Sequence, residues 1–273
     1  MPEGPEIRRM MDSVRAQMVN NQLTAVRFVS GRYCPSDAPY KTAPRKPRRP
    51  PPRYEEFSTS LPMSVTAVGQ KGKFAWVQMS GDWTIWLTMG LSGNMSNRRT
   101  QFSHVHLVFD TGTVFFNDKR RFGTIDFRRS VELTDRLATL GPDILLPISD
   151  ESWLKRFRTR EQWTIPKAMM DQKTVSGIGN YLKAEALYEC RVSPLAEIRW
   201  LSDNTLIRLK HAVQKLANDS YRAGGVAFKC YGRGSDPFNS VVEARMTDDG
   251  RKTYWVPDRQ TNLFDIDPID SLV

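Results

Sequence analysis

Cysteine and histidine are both scarce, with three of each in 273 residues. Cys34, Cys190 and Cys230 are too scattered to make a disulfide framework or a structural zinc site. A reducing, intracellular compartment is therefore expected. His104 and His106 fall on one face of an alternating strand, but no further ligand stands at metal-binding spacing, so ordinary strand histidines are expected. Long hydrophobic runs are missing too. No stretch approaches the roughly eighteen apolar residues of a membrane span, and the start lacks the apolar segment of a secretory signal. The chain is expected to be neither inserted in a membrane nor secreted. Acidic residues are outnumbered, 30 against 40 Lys and Arg, giving a net charge of +10 and a pI near 9.6. That excess implies a polyanionic partner, although charge alone does not separate DNA from RNA or an acidic membrane.

The length permits one large domain or two ordinary ones. Ile7, Met10, Met11 and Val14 recur at helical spacing and predict an amphipathic helix over Glu6–Met18. Alternating apolar residues predict strands at Leu23–Ser30, Ser64–Val68, Phe74–Met79 and Trp83–Met89. A hairpin is predicted over His104–Phe109 and Val114–Phe116, turning at Asp110-Thr111-Gly112. Short strands parted by turn signals favour an antiparallel β-sandwich. Between two of them, Pro35–Arg53 carries Arg45-Lys46-Pro47-Arg48-Arg49-Pro50-Pro51-Pro52-Arg53, whose prolines forbid helix and ladder. This segment reads equally as a phosphate-contacting loop, a localisation signal or a solvated insertion. From about Asp135 helical periodicity takes over, with helices predicted at Trp153–Arg158, Pro166–Asp171, Tyr181–Glu189 and Asn204–Arg222. Short strands return after Gly224-Gly225, and the tail Phe264–Val273 is mildly acidic.

Six stretches bear on chemistry. The opening Met1-Pro2-Glu3-Gly4-Pro5-Glu6 has two readings. One is a helix start, with Pro5 in its first turn and Glu6 set against the helix dipole. In the other, loss of Met1 exposes Pro2 as a secondary amine beside Glu3, a nucleophile next to a general acid or base. Gly72-Lys73-Phe74 places a lysine at a strand start. Leu87-Thr88-Met89-Gly90-Leu91-Ser92-Gly93 and Asn117-Asp118-Lys119-Arg120-Arg121-Phe122-Gly123 end strands in tight loops. Read from the residues alone, Leu91 and Phe122 belong to the core and Arg120 to a solvated turn. Met169–Asn180 contains Val175-Ser176-Gly177-Ile178-Gly179-Asn180 and leads into Tyr181–Leu187. A helix, glycine turn and helix place free N–H groups at a helix start, where Gly177, Gly179 and Asn180 suit phosphate. Finally, Cys230-Tyr231-Gly232-Arg233-Gly234-Ser235-Asp236-Pro237 is followed by a returning strand, Gly250–Gln260.

Taken in this order, the stretches resemble the formamidopyrimidine-DNA glycosylase and endonuclease VIII (Fpg/Nei) family over nearly the whole chain. The resemblance implies that Pro2 is the catalytic nucleophile, assisted by Glu3, and that Lys73 holds phosphate beside the lesion. It assigns Leu91, Arg120 and Phe122 to void filling, Asn180 and Arg251 to DNA phosphate, and Glu6 and Glu185 to support of the site. The last stretch resembles a zinc finger without its ligands: Phe238 follows Pro237 where the first Cys-x-x-Cys belongs, and Val256 and Arg259 stand where later cysteines would. A zincless finger like that of metal-free endonuclease VIII-like enzymes is implied, with Phe238, Tyr254 and Trp255 as a substitute hydrophobic cluster.

The expected fold is a multidomain α+β chain. Its parts are a two-layer antiparallel β-sandwich with an N-terminal helix (1–134, with the basic insertion at 35–53), a linker (135–152), a helix-two-turn-helix domain (153–228), a zincless β-hairpin finger (229–262) and a tail (263–273). The expected activity is that of a bifunctional DNA glycosylase and AP lyase, needing no cofactor or zinc. It would act as an intracellular monomer on duplex DNA with an oxidised base or abasic site. Only Val226–Cys230 separates Gly224-Gly225 from Tyr231. That is too short to cap a flipped purine as in the 8-oxoguanine-specific branch, so oxidised pyrimidines and ring-opened purines are the expected substrates. The alternatives are an 8-oxoguanine-preferring enzyme and a non-catalytic damage-binding protein on the same scaffold.

Overall fold

Glu6 fixes where the first helix begins. Its carboxylate accepts the backbone N–H of Glu3 at 2.8 Å, satisfying a donor that the helix itself leaves open. Helix α1, Gly4–Met18, follows with Pro5 in its first turn and buries Ile7, Met11, Val14 and Met18 along one stripe. The computed structural model describes residues 2–34 and 49–261, so most of the basic insertion and the acidic tail lie outside the described residues. Within those bounds the chain divides into two compact units, Met1–Thr139 and Leu140–Val273.

The first unit is an antiparallel β-sandwich. Its strands are β1 (Gln22–Phe28), β2 (Met63–Lys71), β3 (Phe74–Met79), β4 (Trp83–Thr88), β5 (Gly93–Ser96), β6 (Ser103–Phe109), β7 (Gly112–Asp118) and β8 (Thr124–Arg129). Their hydrogen-bonded order is β5-β7-β6-β1-β2-β3-β4-β8. The link between β1 and β2 is slight, Gln22 against Ser64 and Leu23 against Met63. It therefore acts as a corner between two four-stranded layers. Val77, Ile85, Leu87 and Phe127 from one layer share a buried core with Val105, Leu107, Val114 and Phe116 from the other, and α1 contributes to the same core.

Several elements here were not foreseen. Strand β5 is only Gly-Asn-Met-Ser, with no β propensity of its own; pairing with β7 at Asn94–Asn117 and Met95–Phe116 makes it a strand. Helix α2 (Tyr54–Thr59) is equally short, and it forms because Phe57 plugs the core. The Phe57 ring meets Trp83 edge-on at 5.5 Å and Phe127 at 4.4 Å. Helix α3 (Ser130–Ala138) occupies sequence read as the end of a sandwich and the start of a linker. It packs back on β8 and β4, and Lys71 Nζ donates to its Leu137 carbonyl at 3.0 Å.

The second unit begins at Leu140 and is built from α4 (Asp150–Arg158), α5 (Ile165–Met170), α6 (Asn180–Glu189) and α7 (Asp203–Ala223). Ser149 and Ser202 cap α4 and α7 by accepting the N–H groups of Ser152 and Thr205. Gly224 ends α7 in the left-handed conformation, φ 78°. Trp153, Phe157, Ile178, Leu182, Leu187, Leu209 and Val213 form the core. A two-stranded hairpin follows, β9 (Glu243–Met246) paired with β10 (Lys252–Trp255). No helix among the described residues is long and apolar enough to cross a membrane.

Truncating Phe57 to alanine removes the plug that gives α2 its place. We expect a loss of about 3–5 kcal/mol in urea unfolding, in the range for buried Phe→Ala.

Candidate active site and nucleic-acid interface

Within the first unit, Glu3 is 1% exposed at the start of α1, next to the half-buried Pro2. The bond from Glu3 N–H to Glu6 holds this pair to the helix. The helix-start reading of the opening residues is therefore physically correct, and it places an acid directly after Pro2. Lys73 lies in the two-residue turn joining β2 to β3, after Gly72 at φ 58°. A positive φ at the first turn position alone fits a tight hairpin turn that glycine accepts without strain.

The loops after β4 and β7 pack backbone to backbone. A Cβ on Gly90, itself at φ 57°, would meet Gly123 N and the Phe122 carbonyl carbon at 2.8 Å. Phe122 is 54% exposed, an uncommon position for a large apolar ring. The Arg120 guanidinium lies over it at 5.4 Å, while Leu91 beside them is half-buried. The core reading offered for Phe122 is thus wrong, because the loop turns its ring outward.

The group that shapes this loop escaped the sequence reading. Asp118, 1% exposed, accepts from Gly123 N at 2.7 Å and Arg120 N at 3.2 Å, and from the Ser92 hydroxyl. One carboxylate therefore closes its own loop and ties it to the neighbouring one. Behind it, His104 Nε2 bonds the Asp118 carbonyl at 2.9 Å and Nδ1 bonds Ser30 Oγ at 2.6 Å. Arg32 donates to the Gly123 carbonyl at 3.2 Å. The only sequence signal was an acid followed by glycine five residues later, inside a block noted for its basic residues.

His104 and His106 do not share surroundings. A register shift between Ser103 and Val105 buries His104, whereas His106 sits edge-on against Phe115 at 4.9 Å. Burial, with the Arg99 and Arg27 charges, holds the His106 ring below its usual pKa.

In the second unit, Gln172 braces the turn between α5 and α6. Its carbonyl oxygen accepts Gly177 N at 2.9 Å, and its amide donates to Met170 and Ile178 carbonyls at 3.0 and 3.1 Å. Gly177 has φ 106°. Gly179 precedes α6 with extended backbone, which puts Asn180 in the first turn. Asn180 is 8% exposed, and its Nδ2 donates to the Lys252 carbonyl at 2.9 Å, beside Arg251. The structure thus brings Asn180 and the exposed Arg251 into one neighbourhood.

Glu185 is buried and accepts three successive backbone N–H groups. They are Lys229 at 2.9 Å, Cys230 at 3.0 Å and Tyr231 at 2.7 Å. These bonds tie residues 229–231 to α6. The expected cluster of Phe238, Tyr254 and Trp255 is corrected in composition. Phe238 is 66% exposed and lies under Arg259, 4.0 Å from its guanidinium carbon. The buried cluster is instead Ala184, Tyr188, Cys230 and Val256, with Tyr254 partly buried against it. Burial pushes the Cys230 thiol pKa upward, helped by Glu185.

Asp236 organises the other end of the finger. It accepts Phe238 N at 2.9 Å, Ser240 N at 2.8 Å and the Tyr188 hydroxyl at 2.9 Å, and pairs with Arg259 at 2.8 Å. Burial opposes its ionised form, but those donors and the arginine outweigh it and hold the carboxyl below its ordinary value. Burial and the same contact push the Tyr188 hydroxyl up to about 12. Among the described residues, no group of three or more His, Cys, Asp or Glu is placed to hold a metal ion.

Both units have known counterparts. Residues 1–125 match the formamidopyrimidine-DNA glycosylase N-terminal domain, and residues 140–230 match the formamidopyrimidine-DNA glycosylase H2TH domain. The sandwich with its helix and the helix-two-turn-helix unit define a protein of the Fpg fold. The chain belongs to the formamidopyrimidine-DNA glycosylase family. A formamidopyrimidine-DNA glycosylase of Rhodopseudomonas palustris is 27% identical over 252 residues, covering 76% of this chain and 87% of that protein. One from Xanthomonas campestris is 26% identical, covering 84% and 81%. The Lactococcus lactis enzyme, solved non-covalently bound to DNA with an abasic site, superposes with a TM-score of 0.77 at 16% identity, covering 95% of this chain and 100% of that one. The Thermus thermophilus protein gives 0.75 at 23% identity, covering 95% and 99%.

Because Asp236 is held below its unfolded pKa, it stabilises the finger above the ordinary carboxylate range. That contribution is lost as pH falls through the folded value. Amide protection in residues 236–260, taken relative to the intrinsic exchange rate at each pH, should fall on acidification in the native protein, and Asp236→Asn should be less protected at neutral pH with a flatter acid response.

Proposed function

We propose that the chain is a base-excision DNA glycosylase with AP-lyase activity, acting on duplex DNA that carries an oxidised base or an abasic site. The observation that carries this reading is the buried Glu3 carboxylate at the start of α1, directly after Pro2. In a chain from which Met1 has been removed, Pro2 presents a secondary amine, a sizeable fraction of it neutral near pH 7. The nitrogen attacks C1′ of the damaged nucleotide, the C1′–base bond breaks, and the electron pair leaves with the base. Glu3 assists base departure and sugar-ring opening by proton transfer. The resulting iminium acidifies C2′, and loss of that proton expels the 3′ phosphate. A second elimination expels the 5′ phosphate, and attack of water on the iminium carbon frees Pro2.

The remaining residues take roles suited to their chemistry. Lys73 on its hairpin turn supplies a point charge for phosphate near the lesion. Leu91, Arg120 and Phe122 fill the space vacated by the extruded nucleotide, a role supported by the outward Phe122 ring on a loop locked by Asp118. Gly179 and Asn180 at the start of α6, together with Arg251, bind the backbone; Gly177, expected to share this role, gives its N–H to Gln172 and shapes the turn instead. The finger works without zinc in this reading. Val256 is packed in the core and Arg259 is committed to Asp236, so neither position offers a thiolate. These residues support reading the chain as a zincless, endonuclease VIII-like member of the family. Stoichiometric zinc in purified protein, measured by elemental analysis, would refute that placement.

Oxidised pyrimidines and ring-opened purines are the proposed substrates. Val226 and Phe228 pack on the second unit's core, and Glu185 holds the N–H groups of 229–231. The short segment is therefore committed to packing rather than to covering a flipped purine. The relatives named for formamidopyrimidines, which are ring-opened purines, fit this reading; a preference for 8-oxoguanine is the alternative. Excision of 8-oxoguanine as fast as thymine glycol would select it.

Borohydride reduction of a mixture with abasic-site duplex is the deciding test. A covalent adduct whose peptide map places the DNA on Pro2 supports the enzyme. Tight binding with no adduct supports a damage-binding protein instead.

A further inference from the structure

Helix α6 carries a lysine where its surroundings are otherwise packed. Every residue from Asn180 to Tyr188 is buried, and Lys183 is fully buried among them. Its Nζ meets Asp249 Oδ2 at 2.7 Å, and the two side chains are 0% and 2% exposed. Withdrawing two opposite charges from water is expensive. Such pairs often contribute less to stability than an apolar pair of the same size, so their value lies in fixing one geometry. Asp249 belongs to the turn between β9 and β10. That turn is tightly bonded: Thr247 N donates to the Arg251 carbonyl at 3.0 Å, Gly250 N donates to Thr247 O at 2.9 Å, and the Thr247 hydroxyl reaches the Asp249 carboxylate.

Two bonds from α6 therefore bracket Arg251. Asn180 donates to the carbonyl just after it, and Lys183 anchors the carboxylate two residues before it. Asn180 and Lys183 are three apart, on one face of the helix. A hairpin of two four-residue strands has little stability of its own to aim a side chain. We propose that the Lys183–Asp249 ion pair is the positioning element that presents Arg251 at the start of α6 for a DNA phosphate. Lys183 and Asp249 themselves touch no DNA. The proposal rests on the reading of Arg251 as a phosphate contact.

The test is the salt dependence of binding to a duplex bearing a tetrahydrofuran abasic analogue. Each phosphate contact adds about 0.9 to the slope of log K against log salt. Arg251→Ala should flatten the slope by that amount and weaken binding about tenfold. Lys183→Met should do the same, and the Lys183→Met/Arg251→Ala double variant should lose no more slope than either alone. Asp249→Ala, in the turn rather than inside the helix, is the second variant and should show the same flattening if Lys183→Met folds poorly. Lys183→Met or Asp249→Ala keeping the wild-type slope while native by circular dichroism overturns the proposal, as does a double variant whose slope loss is the sum of two. The wild type separates the two levels of inference: no borohydride adduct defeats the enzymatic reading, whereas an adduct with unchanged variant slopes defeats only the ion pair's role.

Discussion

Helix α6 can be buried on every side only because its charges are met from outside the helix. Lys183 is neutralised by Asp249, and Glu185 by three consecutive backbone N–H groups. Each unpaired partner would carry a large desolvation cost, so the finger is compelled to sit where it does. The chain leading into the finger and the hairpin turn are thereby fixed on the same helix that begins with Asn180. A hairpin too small to be stable alone gains its place from electrostatics and from the Cys230–Val256 packing at its base.

The first unit uses the same device in a loop. Asp118 is a buried acid whose partners are backbone N–H groups of its own turn and a serine of the next loop. Satisfying that carboxylate leaves Phe122 nowhere to go but outward, with Arg120 over its ring. Arg32 and His104 hold the loop from behind, through a segment that leads toward the basic insertion. An exposed aromatic ring on a rigid support is what a wedge requires, since a ring on a loose loop would fold back onto the protein. The rigidity comes from hydrogen bonds to one acid rather than from a hydrophobic core.

Much of this was legible beforehand. Strands with alternating patterns and helices with apolar stripes sit within a few residues of their expected limits, because pattern and burial agree there. Four elements escaped, β5, β8, α2 and α3, and each owes its form to a partner: Met95 against Phe116, Phe127 of β8 against Ile85 of β4, Phe57 against Trp83, and Lys71 against the end of α3. In the second unit, Asn180, Gly177, Gly179 and Glu185 were read as candidates from the helix–turn–helix motif. Asp118 and Lys183 could not, since a carboxylate or ammonium shows its importance only once its burial and partners are known. Phe238 was misread for the converse reason: an aromatic residue suggests a core, but Asp236 bonds its backbone N–H and Arg259 covers its ring in the open.

By itself, the sequence determined what depends on spacing and residue type. It decided the change from two-residue to helical periodicity, the glycine turn before α6, the lack of Cys-x-x-Cys pairs after Tyr231, and the excess of positive charge. Those properties are local or additive, so they survive without coordinates. Tertiary structure alone decided which charges are buried, who neutralises them, and which way Phe122 and Phe238 face. These are outcomes of competition for partners distant in the chain, such as Lys183 with Asp249 and Ser92 with Asp118. No pattern in the intervening residues encodes them, because desolvation acts on position in space rather than in sequence.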